Sequence, residues 1–130
     1  MIANDHTPGL PGGRNAGVAV TEAPLVSFCD DDDVWAPDKA QRQYALLQAR
    51  PEVEVVVTGV QIVTETEEFD RVLDQREVTF SDLLRSRVME ANFCTAMVRR
   101  DAFLNEIGPA DEQIPGGYAE DYEWVLRAAR

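Results

Sequence analysis

The sequence predicts an α/β fold of alternating strands and helices over one unit spanning residues 1–130. Two short apolar runs, residues 25–29 and 53–57, are β-branched or aromatic and read as buried strands. Between them lies a helical pattern from Pro37 to Ala49, so that strands and helices alternate. A third apolar run, residues 93–98, gives the sheet a further strand after a second helical pattern.

Each element follows from local chemistry. Residues 1–13 carry two Pro and three Gly without periodicity and read as loop, with a short helix near residues 15–21. Pro37 suits a first helical position because its missing N–H would have no partner there, and Asp38 complements the positive helix end. Ala40, Tyr44 and Leu47 are spaced to share one face, and Pro51 stops the helix. After Gly59, residues 61–66 alternate like a half-exposed strand, whereas residues 67–77 are strongly charged and read as solvated. Thr79 or Ser81 caps a helix running to Val88, with Phe80, Leu83, Leu84 and Val88 as its apolar stripe. Residues 100–107 form a short helix ended by Gly108, and residues 119–130 a last helix that begins at the acidic pair Glu120-Asp121. No internal repeat is visible.

Composition excludes several function classes. A 45% hydrophobic, 28% charged chain of 130 residues is ordinary for a soluble globular protein. Twelve Lys plus Arg against 24 Asp plus Glu give a net charge of -12, which argues against nucleic acid or an anionic membrane as the main partner. No run approaches the ~18 apolar residues of a membrane span, and no signal-peptide pattern opens the chain, so the expected location is cytoplasmic. Cys29 and Cys94 are too few for a disulfide framework, and both fall on predicted strands, as small core residues do.

The run Phe28-Cys29-Asp30-Asp31-Asp32-Asp33-Val34-Trp35 carries the chemistry. Four consecutive carboxylates stand at the carboxyl end of a strand, where open α/β sheets bind ligands, and hard oxygen donors of this kind suit Mg²⁺ or Mn²⁺. In so acidic a protein, a phosphorylated ligand needs such a cation to offset repulsion. An acidic run in isolation is more often a solvated turn; its place after a buried strand favours a site. A Ca²⁺ loop starting at Asp30 fails, because its sixth position is Trp35 rather than Gly and its twelfth is Gln41 rather than Glu. Trp35 reads as packing, Gly12-Gly13 as a backbone turn, and His6 has no partner motif.

Three ordered motifs carry a resemblance. Gly13-Arg14-Asn15-Ala16-Gly17, then Phe28 through Pro37, then Ala119-Glu120-Asp121-Tyr122-Glu123-Trp124-Val125-Leu126-Arg127 resemble family 2 glycosyltransferases with the GT-A fold. Val98-Arg99-Arg100-Asp101-Ala102-Phe103, Ile107-Gly108 and Asp111-Glu112 resemble the stretch that precedes the acceptor-side helix of that family. The resemblance implies a Rossmann-like, mostly parallel sheet, and transfer of a sugar from a nucleotide-diphosphate-sugar donor to an acceptor hydroxyl with inversion. It implies Mn²⁺ or Mg²⁺ as cofactor. Asp30 and Asp32 match the two aspartates of the D-x-D motif and are the implied metal ligands, with Asp30 and its neighbour Asp31 also beside the donor, and Asp31 and Asp33 as adjacent helpers. Asp121 matches the catalytic base, and Glu120 is placed to orient it or to hydrogen-bond the acceptor. Arg14, Asn15 and Arg127 are the further candidates for donor contact, Arg14 and Arg127 either by cationic contact with phosphate or by holding the carboxylates. The acceptor is of open class: saccharide, lipid-linked or small molecule. A lipid-linked acceptor would put the protein peripherally at the inner face of the membrane.

The family pattern normally opens with strands that recognise the nucleotide base, and no match to them is found here. The expectation is therefore a partial GT-A domain with its N-terminal strands missing. A second reading follows from that expectation: a catalytically inactive fragment acting as an interaction module, a homodimer formed through an exposed sheet edge. A metal-dependent phosphohydrolase fits less well, because no nucleophile lies in a phosphatase motif and His6 is the only histidine.

Overall fold

The structure is a computed structural model that describes residues 3–130. Helix α1, Leu10–Val20, starts earlier than the sequence suggests, inside the segment read as loop. Pro11 is tolerated because it lies in the first turn, where its missing N–H costs no helical hydrogen bond. Gly12 is required by a close approach rather than by a turn, since a Cβ there would lie 1.9 Å from the Thr7 carbonyl oxygen.

Strands β1 (Leu25–Ser27) and β2 (Val55–Val56) are joined through α2 (Lys39–Ala49) and flank a late strand, β5 (Met97–Arg99), in the order β1-β5-β2. Both pairings are antiparallel, with Leu25 opposite Arg99 and Val55 opposite Val98. The expected mostly parallel sheet is thus corrected. β1 and β2 do run in one direction, but β5 lies between them and takes both ladders. The physical reason is that a crossover helix fixes the direction of its two strands without forcing them to be neighbours. Arg99 N–H to Glu54 O (2.9 Å) and Arg100 N–H to Pro24 O (2.9 Å) extend the sheet by one bond on each side. β1 is half-buried rather than buried, as befits an edge strand.

The core face of α2 is Lys39, Gln43 and Leu47, while Ala40 and Tyr44 are exposed. Gln43 takes a core position by making hydrogen bonds: its amide Nε2 donates to Val56 O (3.0 Å) and Thr95 O (2.7 Å), and its Oε1 accepts from Lys39 Nζ (3.0 Å). After β2, strands β3 (Val60–Val63) and β4 (Glu68–Arg71) form a separate antiparallel hairpin, with Val60 opposite Arg71. Part of the charged segment read as solvated therefore pairs as a strand, with every residue of β4 exposed. Helix α3, Phe80–Arg85, is closed by a capping box in which Thr79 Oγ1 accepts from Asp82 N (3.2 Å) and Asp82 accepts from Thr79 N (3.0 Å).

The third predicted strand is also shorter than expected. Phe93–Thr95 forms a 3-10 turn capped by Asn92, and only Met97–Arg99 pairs. Ala102–Glu106 is a wide helical turn, with Ile107 N donating to Ala102 O (2.9 Å), followed by Gly108 at φ +88°. Helix α4, Glu120–Ala128, is entered through Ala119 at φ 65°, a left-handed conformation that a non-glycine residue adopts at a cost. The main core is aromatic: Phe93 lies 4.9 Å from both Phe28 and Trp124, and Phe103 lies 5.6 Å from Trp124. Trp124 is fully buried and its indole N–H donates to Gly108 O (2.9 Å), which fixes α4 against the loop that follows the wide helical turn.

Candidate functional site

The chain beyond β1 delivers Asp30, and a turn closed by Asp33 N to Asp30 O (3.2 Å) brings Asp33 back beside it. Cys94, on the 3-10 turn before β5, meets both, and the ligand atoms of Asp30, Asp33 and Cys94 lie within 4.8 Å of one another. Asp31 and Asp32 are exposed and their carboxylates stand outside this group. From the other side, α1 contributes Arg14 and α4 contributes Glu120 and Asp121. Arg14, Asp30, Asp33, Asn92, Cys94 and Asp121 line one cleft of about 280 Å³, whose opposite wall is Val60, Gln61, Ile62 and Arg71 of the hairpin. A larger cavity, about 550 Å³, lies along β2 and is lined by apolar residues including Val56, Val72, Val78 and Trp124. It contains none of the residues expected to do chemistry, so size is the wrong guide here.

Charge inside the cleft is organised by Arg14, whose side chain is only 9% exposed. Nη1 donates to Glu120 Oε1 (2.5 Å), Nη2 donates to Asp30 Oδ1 (3.1 Å), and the guanidinium stacks 4.5 Å above the Phe93 ring centroid. Arg14 therefore joins the end of β1 to the start of α4, and Glu120, with its side chain 8% exposed, is committed to that pair. Asp121 faces a different cation: Arg87 Nη2 lies 3.2 Å from Oδ2. Arg87 also stacks on the Tyr122 ring at 5.6 Å, and the Tyr122 hydroxyl donates to Leu83 O, tying α4 to α3.

Asn15 and Arg127 lie elsewhere. Asn15 is buried; its Oδ1 accepts from Ala110 N (2.9 Å) while Nδ2 donates to Ala110 O (2.9 Å) and Glu112 Oε1 (2.7 Å). Glu112 further accepts from Thr7 N (2.9 Å) and meets His6 Nδ1 (2.7 Å), so His6 has a structural partner that the sequence did not suggest. The hydrogen bond from Asn15, followed by those from Thr7 and His6, holds the Glu112 carboxyl down to about 2. Arg127 binds Glu123 (2.7 Å) and Pro109 O (2.9 Å) and also donates to Ile107 O, securing the loop that α4 packs against.

The cysteines depart from their expected core role. Cys29 is exposed and Cys94 half-buried. Burial, then hydrogen bonding with Asp30 and Asp33, pushes the Cys94 thiol up to about 12. A neutral thiol beside two carboxylates leaves the oxygens as the donors suited to a hard divalent cation. Lys39, whose pKa is lowered by burial, stacks over Trp35 at 4.2 Å, so Trp35 packs under the acidic turn. Arg71, Arg87 and Cys94 are the site residues that sequence reasoning missed. Arg71 and Arg87 belong to no motif, and Cys94 gave only its strand position as a signal.

Residues 2–130 match the family described as glycosyltransferase like family 2. The chain is 23% identical over 131 residues to an uncharacterized glycosyltransferase of Haemophilus influenzae, covering 98% of this chain and 43% of that protein. It is 20% identical over 122 residues to UDP-Glc:alpha-D-GlcNAc-diphosphoundecaprenol beta-1,3-glucosyltransferase WfgD of Escherichia coli, covering 94% of this chain and 45% of that one. The chain thus spans less than half the length of these curated relatives. No solved structure matches it significantly. With a family match over nearly all its residues, the chain belongs to glycosyltransferase like family 2.

Proposed function

We propose that the chain carries the metal-binding and acceptor-side part of a GT-A glycosyltransferase domain that transfers a sugar from a nucleoside diphosphate to an acceptor hydroxyl. The observation that carries this reading is the convergence of Asp30, Asp33 and Asp121, from distant parts of the chain, on one cleft. Asp121 is the base. It accepts the proton of the acceptor hydroxyl as that oxygen bonds to the anomeric carbon, while the bond from that carbon to the diphosphate breaks and the nucleoside diphosphate leaves with the electron pair. Arg87 holds the Asp121 carboxylate at the lip of the cleft. Arg14 keeps Glu120 neutralised and Asp30 oriented, a positioning role rather than donor contact.

Asp30 and Asp33 would hold the Mn²⁺ or Mg²⁺, with Asp32 solvated on the same turn. When bound, such a cation supplies positive charge to the two phosphates of the donor and to the leaving diphosphate. The Escherichia coli relative is named for a diphosphoundecaprenol-linked acceptor, which supports a lipid-linked saccharide acceptor here, and such an acceptor would bring the protein to the inner face of the membrane. Among the described residues no helix is long and apolar enough to cross a membrane.

The test is Mn²⁺-dependent UDP binding together with transfer of labelled sugar to a GlcNAc-diphospholipid. Asp121→Asn should keep binding and lose transfer; a variant that still transfers would remove Asp121 as the base. A second reading, an interaction module that dimerises edge to edge, is favoured by one feature: β1 and β2 are both edge strands among the described residues. Sedimentation of the chain distinguishes it, since a two-fold dimer that binds no nucleotide would support that alternative.

A further inference from the structure

We propose that Arg71 is an anion-binding residue of the cleft that takes a phosphate group of a substrate; the inference rests on the glycosyltransferase reading above. Two arginines line the cleft. Arg14 is held between Glu120 and Asp30. Arg71 makes no ion pair among the described residues, in a chain with twice as many acids as bases and in a cleft that also contains Asp30, Asp33 and Asp121. Its neighbour Asp70 is already engaged, accepting a hydrogen bond from Gln61 Nε2 (3.0 Å).

The position of Arg71 is set by backbone. It pairs with Val60 at the end of the hairpin away from its turn, and Gly59 packs so tightly there that a Cβ would lie 2.7 Å from the Arg71 carbonyl oxygen. The guanidinium lies 5.7 Å from the Phe69 ring centroid, a contact that orients it without consuming its donors. A planar fork of free N–H groups facing carboxylates across a cleft is suited to a phosphate, which it binds through paired hydrogen bonds. Two phosphates could be the ligand: one in the diphosphate of the donor, or one on the acceptor.

The experiment measures binding of UDP with Mn²⁺, and separately of GlcNAc 1-phosphate, to the chain and to Arg71→Gln, Arg71→Lys and Arg42→Gln. Uridine and GlcNAc serve as phosphate-free controls. Arg71→Gln should weaken a phosphate ligand by about tenfold to a hundredfold, as expected for a charge-assisted hydrogen bond. Arg71→Lys should recover part of the loss, and Arg42→Gln should change nothing. Loss confined to UDP assigns the donor diphosphate; loss confined to the sugar phosphate assigns the acceptor phosphate. Unchanged affinities in Arg71→Gln, or equal weakening of uridine and UDP, would overturn the role of Arg71 while leaving the wider reading intact. Failure of the unaltered chain to bind either phosphate ligand would overturn both.

Discussion

Replacing Arg14 with Met removes the charge at the centre of the cleft and keeps most of the aliphatic stem. The Glu120 carboxylate, with its side chain 8% exposed, then loses its only cation among the described residues. Breaking a buried pair from one side costs about 3–5 kcal/mol, because the surviving charge is left without compensation. Asp30 adds little to that figure, since its side chain is 36% exposed and water replaces much of the lost attraction. Stacking on Phe93 is worth about 1 kcal/mol more, part of which the Met side chain retains by packing. A total near 4 kcal/mol is a large share of the roughly 5–15 kcal/mol that holds a domain folded. Urea unfolding followed by tryptophan fluorescence reads the loss, because Trp124 is buried in the aromatic cluster that Arg14 touches. The double variant Arg14→Met/Glu120→Gln should be less damaged than the sum of the two single variants, since it leaves neither charge buried alone. A loss under about 1 kcal/mol for Arg14→Met, or strict additivity in the cycle, would refute the claim that this pair is a buried, mutually dependent one.

Further expectations follow from the same geometry. Glu112, held near 2 against an ordinary 4.5, contributes stability that is complete above 4.5 and lost as pH falls through about 2. The melting difference between the unaltered chain and Glu112→Gln should therefore shrink on acidification through that window; a difference that stays constant or grows would contradict it. Asp33→Asn should weaken Mn²⁺-dependent UDP binding more than Asp32→Asn does, by about tenfold, and the reverse order would return the ligand role to Asp32. In α1, Gly13→Ala meets open space and should stabilise by about 0.5–1 kcal/mol. Gly12→Ala, which drives a Cβ into the Thr7 backbone, should destabilise instead by about 1–3 kcal/mol. Thermal melts of the two variants separate these outcomes.

Legibility of the chain follows the range of the forces involved. β1, α2 and α4 were readable because caps, breakers and apolar periodicity act within a turn or two, and the final helix begins at Glu120 with its acidic first turn as expected. Thr79 was readable as a cap for the same reason. The place of β5 was not, because sheet order depends on which edge a late strand reaches and no local pattern encodes that. β4 was missed because Glu68, Asp70 and Arg71 are charged, and a strand exposed on both faces carries no alternation. The buried face of α2 was misassigned because Lys39 and Gln43 are polar by composition and become core residues only through partners more than a turn away. In the site, Asp30 and Asp121 stood out as motif residues. The approach of Asp33 to Asp30, and of Cys94 to both, depends on a turn and on tertiary packing, which spacing alone does not specify.

The intercalation of β5 between β1 and β2 also sets an order of events in the life of the chain. Leu25 and Val55 wait for partners that are synthesised only when residues 97–99 leave the ribosome. Among the described residues, a nascent chain stopping before Met97 holds two same-direction strands and a crossover helix with no ladder to join them, and the apolar surfaces of those strands stay uncovered. Closure of so distant a contact is slow relative to local helix formation. The interval between emergence of β2 and arrival of β5 is therefore when these strands are open to aggregation.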